Sequence, residues 1–280
     1  MIKNNLTGPY SFLPNAPLFE VVFELHWKLQ GDPGTPPPFW TDPGYSILAS
    51  NFTSAAGKYG FKINKKISQD PLLPAHSIGM RFRRTEDEQF PLWQIGPGIF
   101  ASNESAAYTW SHFKKLAIDG VKAVLLSYPK IKGFDIKPIH MELRYMDSFD
   151  SAFISHQDPL KFINENSSLR IDLPSFFKKK PIEKSPNANL LFEFPISNLK
   201  DSNFIVRIAN ATIKDRKSIL LESKVIAKAD PISFGKTLPS RLQFISDWLE
   251  GSHSLTSPFF KEFLDPSLIK KFERLPDASA

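Results

Sequence analysis

The feature that most constrains this chain is a stretch near its start, N-A-P-L-F-E-V-V-F-E-L-H-W at 15–27, in which apolar and polar side chains alternate. The large apolar residues fall on one side of a two-residue period, and Glu20, Glu24 and His26 fall on the other. Because successive side chains of a β-strand point to opposite faces, this stretch predicts a strand with one face in a core and one polar face. The fold must therefore include a sheet with one buried face.

Alternating stretches recur along the chain and are joined by short turn sequences. We expect strands or hairpins over 76–95, 136–146, 188–194, 204–213 and 218–227. Between them, apolar residues at helical spacing predict helices, one with Thr41 or Asp42 as its N-cap and one capped by Asn103 or Ser105. A third helical pattern runs from Leu238 to Leu249, and Gly251 is a candidate C-terminal stop.

This order of elements predicts an α+β fold with a mostly antiparallel sheet, or sheets, and packed helices. Strands that are linked by hairpins pair antiparallel, which argues against a doubly wound parallel sheet. The predicted organisation is an N-terminal α+β half over 1–150, an irregular connection over 151–189, and a C-terminal meander with helices over 190–280. Two alternatives stay open: the parts pack as one domain, and the two strand-then-helix halves are a divergent duplication.

Composition excludes several kinds of chemistry. The 280 residues include no cysteine, which rules out disulfides, thiolate metal sites and a cysteine nucleophile. The first ten residues lack the apolar segment of a signal peptide, and no run reaches the roughly 18–20 apolar residues of a membrane helix. We therefore expect a cytoplasmic protein without a membrane partner. The net charge of +6 permits nucleic-acid binding without requiring it.

The opening N-A-P-L-F-E-V-V-F-E-L segment, the Q-I-G-P-G at 94–98 and the Y-T-W-S-H-F at 108–113 resemble a sporadically distributed family of uncharacterised bacterial proteins. R-Y at 144–145 and F-I-S-D-W-L at 244–249 resemble later segments of the same pattern, so the resemblance spans most of the chain. It implies a bacterial accessory gene without an established enzyme activity. Its patchy distribution suggests mobile functions such as antiphage defence or toxin–antitoxin systems.

The polar faces of the predicted N-terminal strands are the most prominent candidate surface. If these strands are neighbours, their polar side chains form a lattice of opposite charges that could recognise a charged partner. The simpler alternative is a solvated sheet face with ordinary ion pairs, each worth only ~0.2–1 kcal/mol. The residues concerned are Glu20, Glu24 and His26, then Arg81 and Arg83, then His140, Glu142 and Arg144.

Two further segments are candidates for contact with a partner. Phe39 and Trp40 directly follow a Pro/Gly-rich stretch at 31–38, and an exposed aromatic pair is a typical hot spot for a protein partner. Basic clusters around Arg84 and at Lys178, Lys179 and Lys180 could contact nucleic acid, although solvated surface charge is the simpler interpretation.

Catalytic motifs are weak throughout. Asp215, Glu222 and Lys224 faintly resemble a metal-dependent nuclease core, but a predicted tight turn places Asp215 poorly. None of the six histidines forms an H-x-H or H-x-x-x-H pair, and no phosphate-binding loop is present, so we expect no metal and no cofactor.

The sequence therefore favours a non-enzymatic interaction protein, antitoxin- or adaptor-like, that binds a protein encoded nearby or self-associates. The alternatives are a nucleic-acid-binding protein that uses the basic clusters and, third, the nuclease.

Overall fold

A computed structural model describes residues 13, 15–29, 42–67, 73–105, 108–131, 134–156, 158–175, 189–213, 215–229 and 231–273. The strands within these ranges are β1 (Leu18–Trp27), β2 (Ile63–Lys66), β3 (Met80–Arg83), β4 (Leu92–Gly96), β5 (Ile99–Glu104), β6 (Pro138–Phe149), β7 (Asn189–Ile196), β8 (Ser202–Ile213) and β9 (Arg216–Lys228). The helices are α1 (Tyr45–Gly57), α2 (Trp110–Ser127), α3 (Pro159–Asn166), α4 (Leu238–Phe263) and α5 (Pro266–Phe272).

All nine strands belong to one sheet, in the order β2-β3-β4-β5-β1-β6-β9-β8-β7. Every neighbouring pair is antiparallel, so the predicted α+β class with an antiparallel sheet is confirmed. The alternating stretch that opens the chain forms the central strand, β1, between β5 and β6. Strands from both parts of the chain join where β6 pairs with β9, for example Leu143 opposite Val225.

The helices cover one face of this sheet. Phe23, Leu25 and Trp27 of β1 are buried in a large apolar cluster together with side chains of α1, α2 and α4. A second cluster lies farther along the same face, where β6, β8 and β9 meet α3, α5 and the end of α4. The opposite face carries the polar side chains of the alternating strands, and no helix of the described residues packs there. None of the described helices is both long and apolar enough to cross a bilayer.

The structure corrects the predicted helix boundaries. Gly44 occupies the N-cap of α1, and Thr109 that of α2, without side-chain caps. Asn103 instead lies in β5. The predicted stop at Gly251 is also wrong, because α4 continues to Phe263. A Cβ at position 251 would lie 2.7 Å from Cδ2 of Leu199, so this glycine permits a close approach and does not end the helix.

Asp42 binds several elements together. Its carboxylate accepts hydrogen bonds from Nε1 of Trp27 at 3.0 Å and from the hydroxyl of Tyr128 at 2.6 Å. It also accepts from the backbone N–H groups of Gly44 at 2.9 Å and Gly98 at 3.1 Å. This buried acid therefore joins β1, the start of α1, the β4–β5 turn and the end of α2, which is a larger role than a helix cap.

Candidate functional site

The face of the sheet opposite the helices, called here the charged face, is the candidate site. Strand register and side-chain alternation place polar residues of six adjacent strands on it. Its central members are Glu20, Glu24, His26, Arg81, Gln94, Asn103, His140, Glu142, Arg144, Glu222 and Lys224.

A carboxylate pair lies at the centre of the charged face. Glu24 of β1 is directly opposite Glu142 of β6, and like charges in that position repel. Arg144 compensates, since Nη2 lies 3.3 Å from Oε1 of Glu24 and Nε lies 3.3 Å from Oε1 of Glu142. Lys224 of β9 forms a further ion pair with Glu222 at 3.1 Å. These side chains are only 9–26% exposed, so the charges form an ordered layer.

The protonation behaviour of this layer follows from its packing. Burial raises the pKa of Glu142, but the hydrogen bond to His140 and the charges of Arg144 and Lys224 outweigh it, and the net pKa is lowered. Glu142 is therefore held as a carboxylate. Burial dominates at Glu20 and raises its pKa, although Asn103 and nearby arginines oppose that effect.

Hydrogen-bonded side chains extend the layer across four strands. Nε of Arg81 donates to Gln94 at 3.1 Å, and Nε2 of Gln94 donates to Asn103 at 3.1 Å. Nδ2 of Asn103 then donates to Glu20 at 2.7 Å, which links β3 to β1. The sequence does not predict Gln94 or Asn103 for this face, because neither alternates with other charges in its own strand, and Asn103 has the chemistry of a helix cap.

Three histidines meet at one end of the charged face. His26 and His140 are cross-strand partners with ring centroids 4.7 Å apart, and His76 lies 5.2 Å from His26. Nε2 of His26 lies 2.9 Å from Glu24, and Nε2 of His76 lies 3.0 Å from the carbonyl oxygen of Trp27. Burial is the main reason that the pKa of His76 is lowered.

The G-P-G turn makes this meeting of histidines possible. A Cβ on Gly96 would lie 1.7 Å from the carbonyl oxygen of Ser77, and one on Gly98 would lie 2.8 Å from the ring of His76. The glycines therefore let the loop before β3 lie against the turn and bring His76 to His26. Sequence spacing could not show this cluster, because its members are far apart in the chain. Even so, the described residues contain no group of three or more histidines and acidic residues arranged to hold a metal ion.

The remaining predicted residues have different surroundings. Arg83 donates to the carbonyl oxygen of Glu86 at 3.1 Å, and Arg84 lies over the ring of Phe61 at 5.7 Å. Phe39, Trp40 and Lys178–Lys180 lie outside the described residues.

The residues of the nuclease hypothesis do not converge. Glu222 and Lys224 pair with each other on β9. Asp215 lies in the turn before that strand, seven residues from Glu222, which is roughly 23 Å at the rise of an extended strand.

A separate polar cluster is buried under the helices. The hydroxyl groups of Tyr108 and Tyr145 are 3.0 Å apart, and that of Tyr145 lies 2.9 Å from Nδ1 of His253. Burial raises the pKa of the neighbouring Asp147 to about 8 and lowers that of His253 to about 4. Helices cover this cluster, where Asp147 is 5% and His253 4% exposed, so it affects stability and does not offer a surface to a partner.

No protein-family model, curated protein or solved structure matches this chain.

Proposed function

We propose that the protein is a non-enzymatic interaction protein of a bacterial accessory or defence-type locus, antitoxin- or adaptor-like, and that it binds a protein partner through the charged face. The observation that supports this most directly is the Glu24–Arg144–Glu142 arrangement on a sheet face that no described helix covers. Its side chains are ordered before any partner arrives, so little side-chain entropy is lost on binding.

The alternating signs indicate the chemistry of the partner. Positive and negative groups lie within a few ångströms of one another, so the surface suits a protein with a complementary mixture of charges. A uniformly anionic ligand would meet Glu20, Glu24 and Glu142 and be repelled by them. Complementary charges mainly determine specificity and the rate of association.

The test is capture of a partner from the host of this gene, followed by reconstitution and a measured Kd. In the key variant Glu24→Arg/Arg144→Glu, the ion pair is kept but its direction on the charged face is reversed. We expect binding to weaken at least about tenfold, equivalent to about 1.4 kcal/mol. The matched control exchanges an ion pair on the helical side, Lys115→Asp/Asp119→Lys of α2, in which Lys115 is 74% and Asp119 23% exposed. Equal affinity of both variants would contradict a role for the charged face.

One observation favours nucleic-acid binding as a second candidate. Lys65 is directly opposite Arg81 in the β2–β3 pair, where like charges repel unless an anion lies between them. Lys62, Lys66 and Arg84 are close by in sequence, and within the described residues no carboxylate forms an ion pair with any basic residue of this hairpin. A phosphate backbone would supply the missing negative charge.

This second candidate is tested by fluorescence anisotropy with a labelled single-stranded oligonucleotide over a range of salt concentrations. Binding that depends on this hairpin falls steeply as salt rises. Lys65→Ala/Arg81→Ala should reduce the magnitude of the salt slope by about 1.4, the value for two lost contacts to a single strand. Lys178→Ala/Lys179→Ala tests the other basic cluster in the same way. No increase in anisotropy, or binding whose affinity does not change with salt, would exclude nucleic-acid binding by this hairpin.

A further inference from the structure

The two edges of the sheet are built differently. The β2 edge is four residues long and carries Lys65 and Lys66, which discourage another strand from pairing with it. The β7 edge has eight residues and no lysine. It also presents two large apolar side chains to solvent, Leu191 at 62% and Phe194 at 50% exposure. Glu193 and Pro195 protect the end of this edge, but residues 189–192 carry neither a charge nor a proline, and an apolar edge of that kind invites strand pairing.

The backbone groups that face outward from β7 can be identified. β8 and β9 join at a short turn closed by Ile213 and Arg216, and alternate residues of β8 then bond to β9 and to β7. Bonds to β7 therefore involve Leu190, Phe192 and Phe194, whereas Asn189, Leu191 and Glu193 direct their N–H and C=O groups outward. Pro195, which has no N–H, belongs to the outward set, as expected for a proline in an edge strand.

We propose that β7 pairs antiparallel with β7 of a second copy of this chain, around a two-fold axis at Leu191. This register places Leu191 against its own copy and Asn189 against Glu193 of the other chain. An axis at Glu193 would oppose two carboxylates, and an axis at Phe192 would place Glu193 against Leu191. The chosen register is the one that pairs apolar with apolar and amide with carboxylate.

Charge complementarity supports a second copy as the occupant. Arg207 of β8 is exposed, and its Nε donates to Oδ1 of Asn189 at 2.9 Å. Within the described residues neither Arg207 nor Glu193 forms an ion pair, although Glu222 lies directly opposite Arg207 in the β8–β9 register and Glu193 accepts a hydrogen bond from Asn203 at 2.6 Å. The two-fold register brings Glu193 of each copy to the Asn189–Arg207 pair of the other. Two ion pairs form that a single chain does not make.

The β7 interface is tested on the purified protein, without any partner protein, by sedimentation velocity up to about 200 µM. We expect a reversible dimer for the natural sequence. Glu193→Arg should weaken it at least about tenfold, because it opposes Arg207 of the other copy. Arg207→Gln avoids a second carboxylate opposite Glu222 and should also weaken the dimer. In the Arg207→Gln background Glu193→Arg should cost much less, which isolates the pair. Leu191→Lys should give a monomer, whereas Leu126→Lys, at a leucine of α2 that is 49% exposed, should leave the dimer intact.

Two results would overturn this inference. One is that the protein of natural sequence stays monomeric over the whole concentration range. The β7 edge would then not pair with a second copy of this chain. The other is a dimer that survives both Leu191→Lys and Glu193→Arg, because the copies would then meet at another surface. Circular dichroism of each variant shows whether the fold is kept.

Discussion

Glu24 and Glu142 face each other across β1 and β6, and one guanidinium, that of Arg144, lies 3.3 Å from both carboxylates. The three charges belong to two neighbouring strands, so their balance is part of the sheet itself. Removal of the positive member leaves two facing negative charges that are largely shielded from water.

The first prediction concerns Arg144→Met, which keeps much of the aliphatic stem and removes the charge. We expect the free energy of unfolding at pH 7 to fall by about 1–3 kcal/mol, because two partly buried acceptors lose their partner. The pKa of Glu142 is lowered in the folded protein, so the stability that it contributes is present above its ordinary value of 4.5 and is lost as pH falls. The loss caused by Arg144→Met should therefore shrink on acidification. Urea unfolding at several pH values measures this.

A matched control for that prediction is Arg216→Met. Arg216 is 76% exposed and lies 3.4 Å from Asp150. Exposed pairs contribute about 0–1 kcal/mol, so this variant should hardly change stability. Equal losses for Arg144→Met and Arg216→Met would contradict the account of the charged face.

The second prediction concerns Asp147, whose pKa is raised by burial from 3.8 to about 8. The folded protein then binds a proton that the unfolded chain releases, so this group favours the unfolded state increasingly as pH rises from 3.8 to 8. Asp147→Asn removes that dependence. The stability of the variant relative to the natural protein should increase with pH, by at most about 1.4 kcal/mol per pH unit. Thermal unfolding of both proteins between pH 5 and about 9 measures the difference.

His253 also makes stability depend on pH, but it is present in both proteins. Its contribution therefore cancels when the stability of the natural protein is subtracted from that of Asp147→Asn. Burial lowers the pKa of that histidine from 6.5 to about 4, so its effect has the opposite sign and is lost as pH falls. A stability difference that stays constant across this pH range would show that Asp147 is ionised in the folded protein.

The third prediction concerns Asp42→Ala. The substitution leaves Nε1 of Trp27 and the hydroxyl of Tyr128 without their acceptor in a buried site. Each unsatisfied buried donor costs about 1–3 kcal/mol, so we expect a loss of several kcal/mol or failure to fold. Asp135→Ala is the control, because Asp135 is 52% exposed and pairs only at the surface with Arg241. Similar unfolding midpoints in urea for both variants would refute the role given to Asp42.

The fourth prediction compares two helical glycines. A Cβ on Gly120 of α2 would lie 2.2 Å from Cζ of the buried Phe100, whereas one on Gly57 of α1 would meet nothing within 4 Å. Gly120→Ala should therefore lose about 1–3 kcal/mol by overpacking, more than the ~1 kcal/mol that alanine gains in a helix. Gly57→Ala should be neutral or slightly stabilising. The Tm values of both variants, measured by calorimetry, test this prediction. A higher Tm for Gly120→Ala than for the natural protein would mean that α2 does not pack against Phe100 as described.

Much of the sheet could be predicted because its information is local. The two-residue alternation identified β1 and its polar side, and the alternation around Phe82 identified the β3–β4 hairpin. Strand order could not be derived in this way, since it depends on pairings between distant residues. Asp42 and Asn103 have the chemistry of helix caps. Asp42 does accept from the nearby N–H of Gly44, but its other partners, and the carboxylate that Asn103 binds, are distant in sequence, so local patterns do not predict either role.

Alternation in the sequence predicts which charged residues share the charged face, but it does not predict which of them contact one another. Glu24 and Arg144 were proposed on the same face from alternation alone. That Arg144 reaches two carboxylates depends on the β1–β6 register, which hydrophobic patterning does not specify to the residue. The contact between His26 and His76 depends on the loop before β3 and on Gly96 and Gly98. Neither the loop nor the glycines belong to an alternating pattern from which the contact could be predicted.

The central position of β1 also has a consequence for biosynthesis. Phe23 pairs with Ser102 on one side and Leu143 on the other, which are translated about 80 and 120 residues later. During translation this apolar strand therefore leaves the ribosome well before either neighbour exists. A nascent chain in that state exposes unpaired backbone and aromatic side chains, the surfaces that chaperones recognise. Among the described strands, β1 is therefore synthesised before both of the strands with which it pairs.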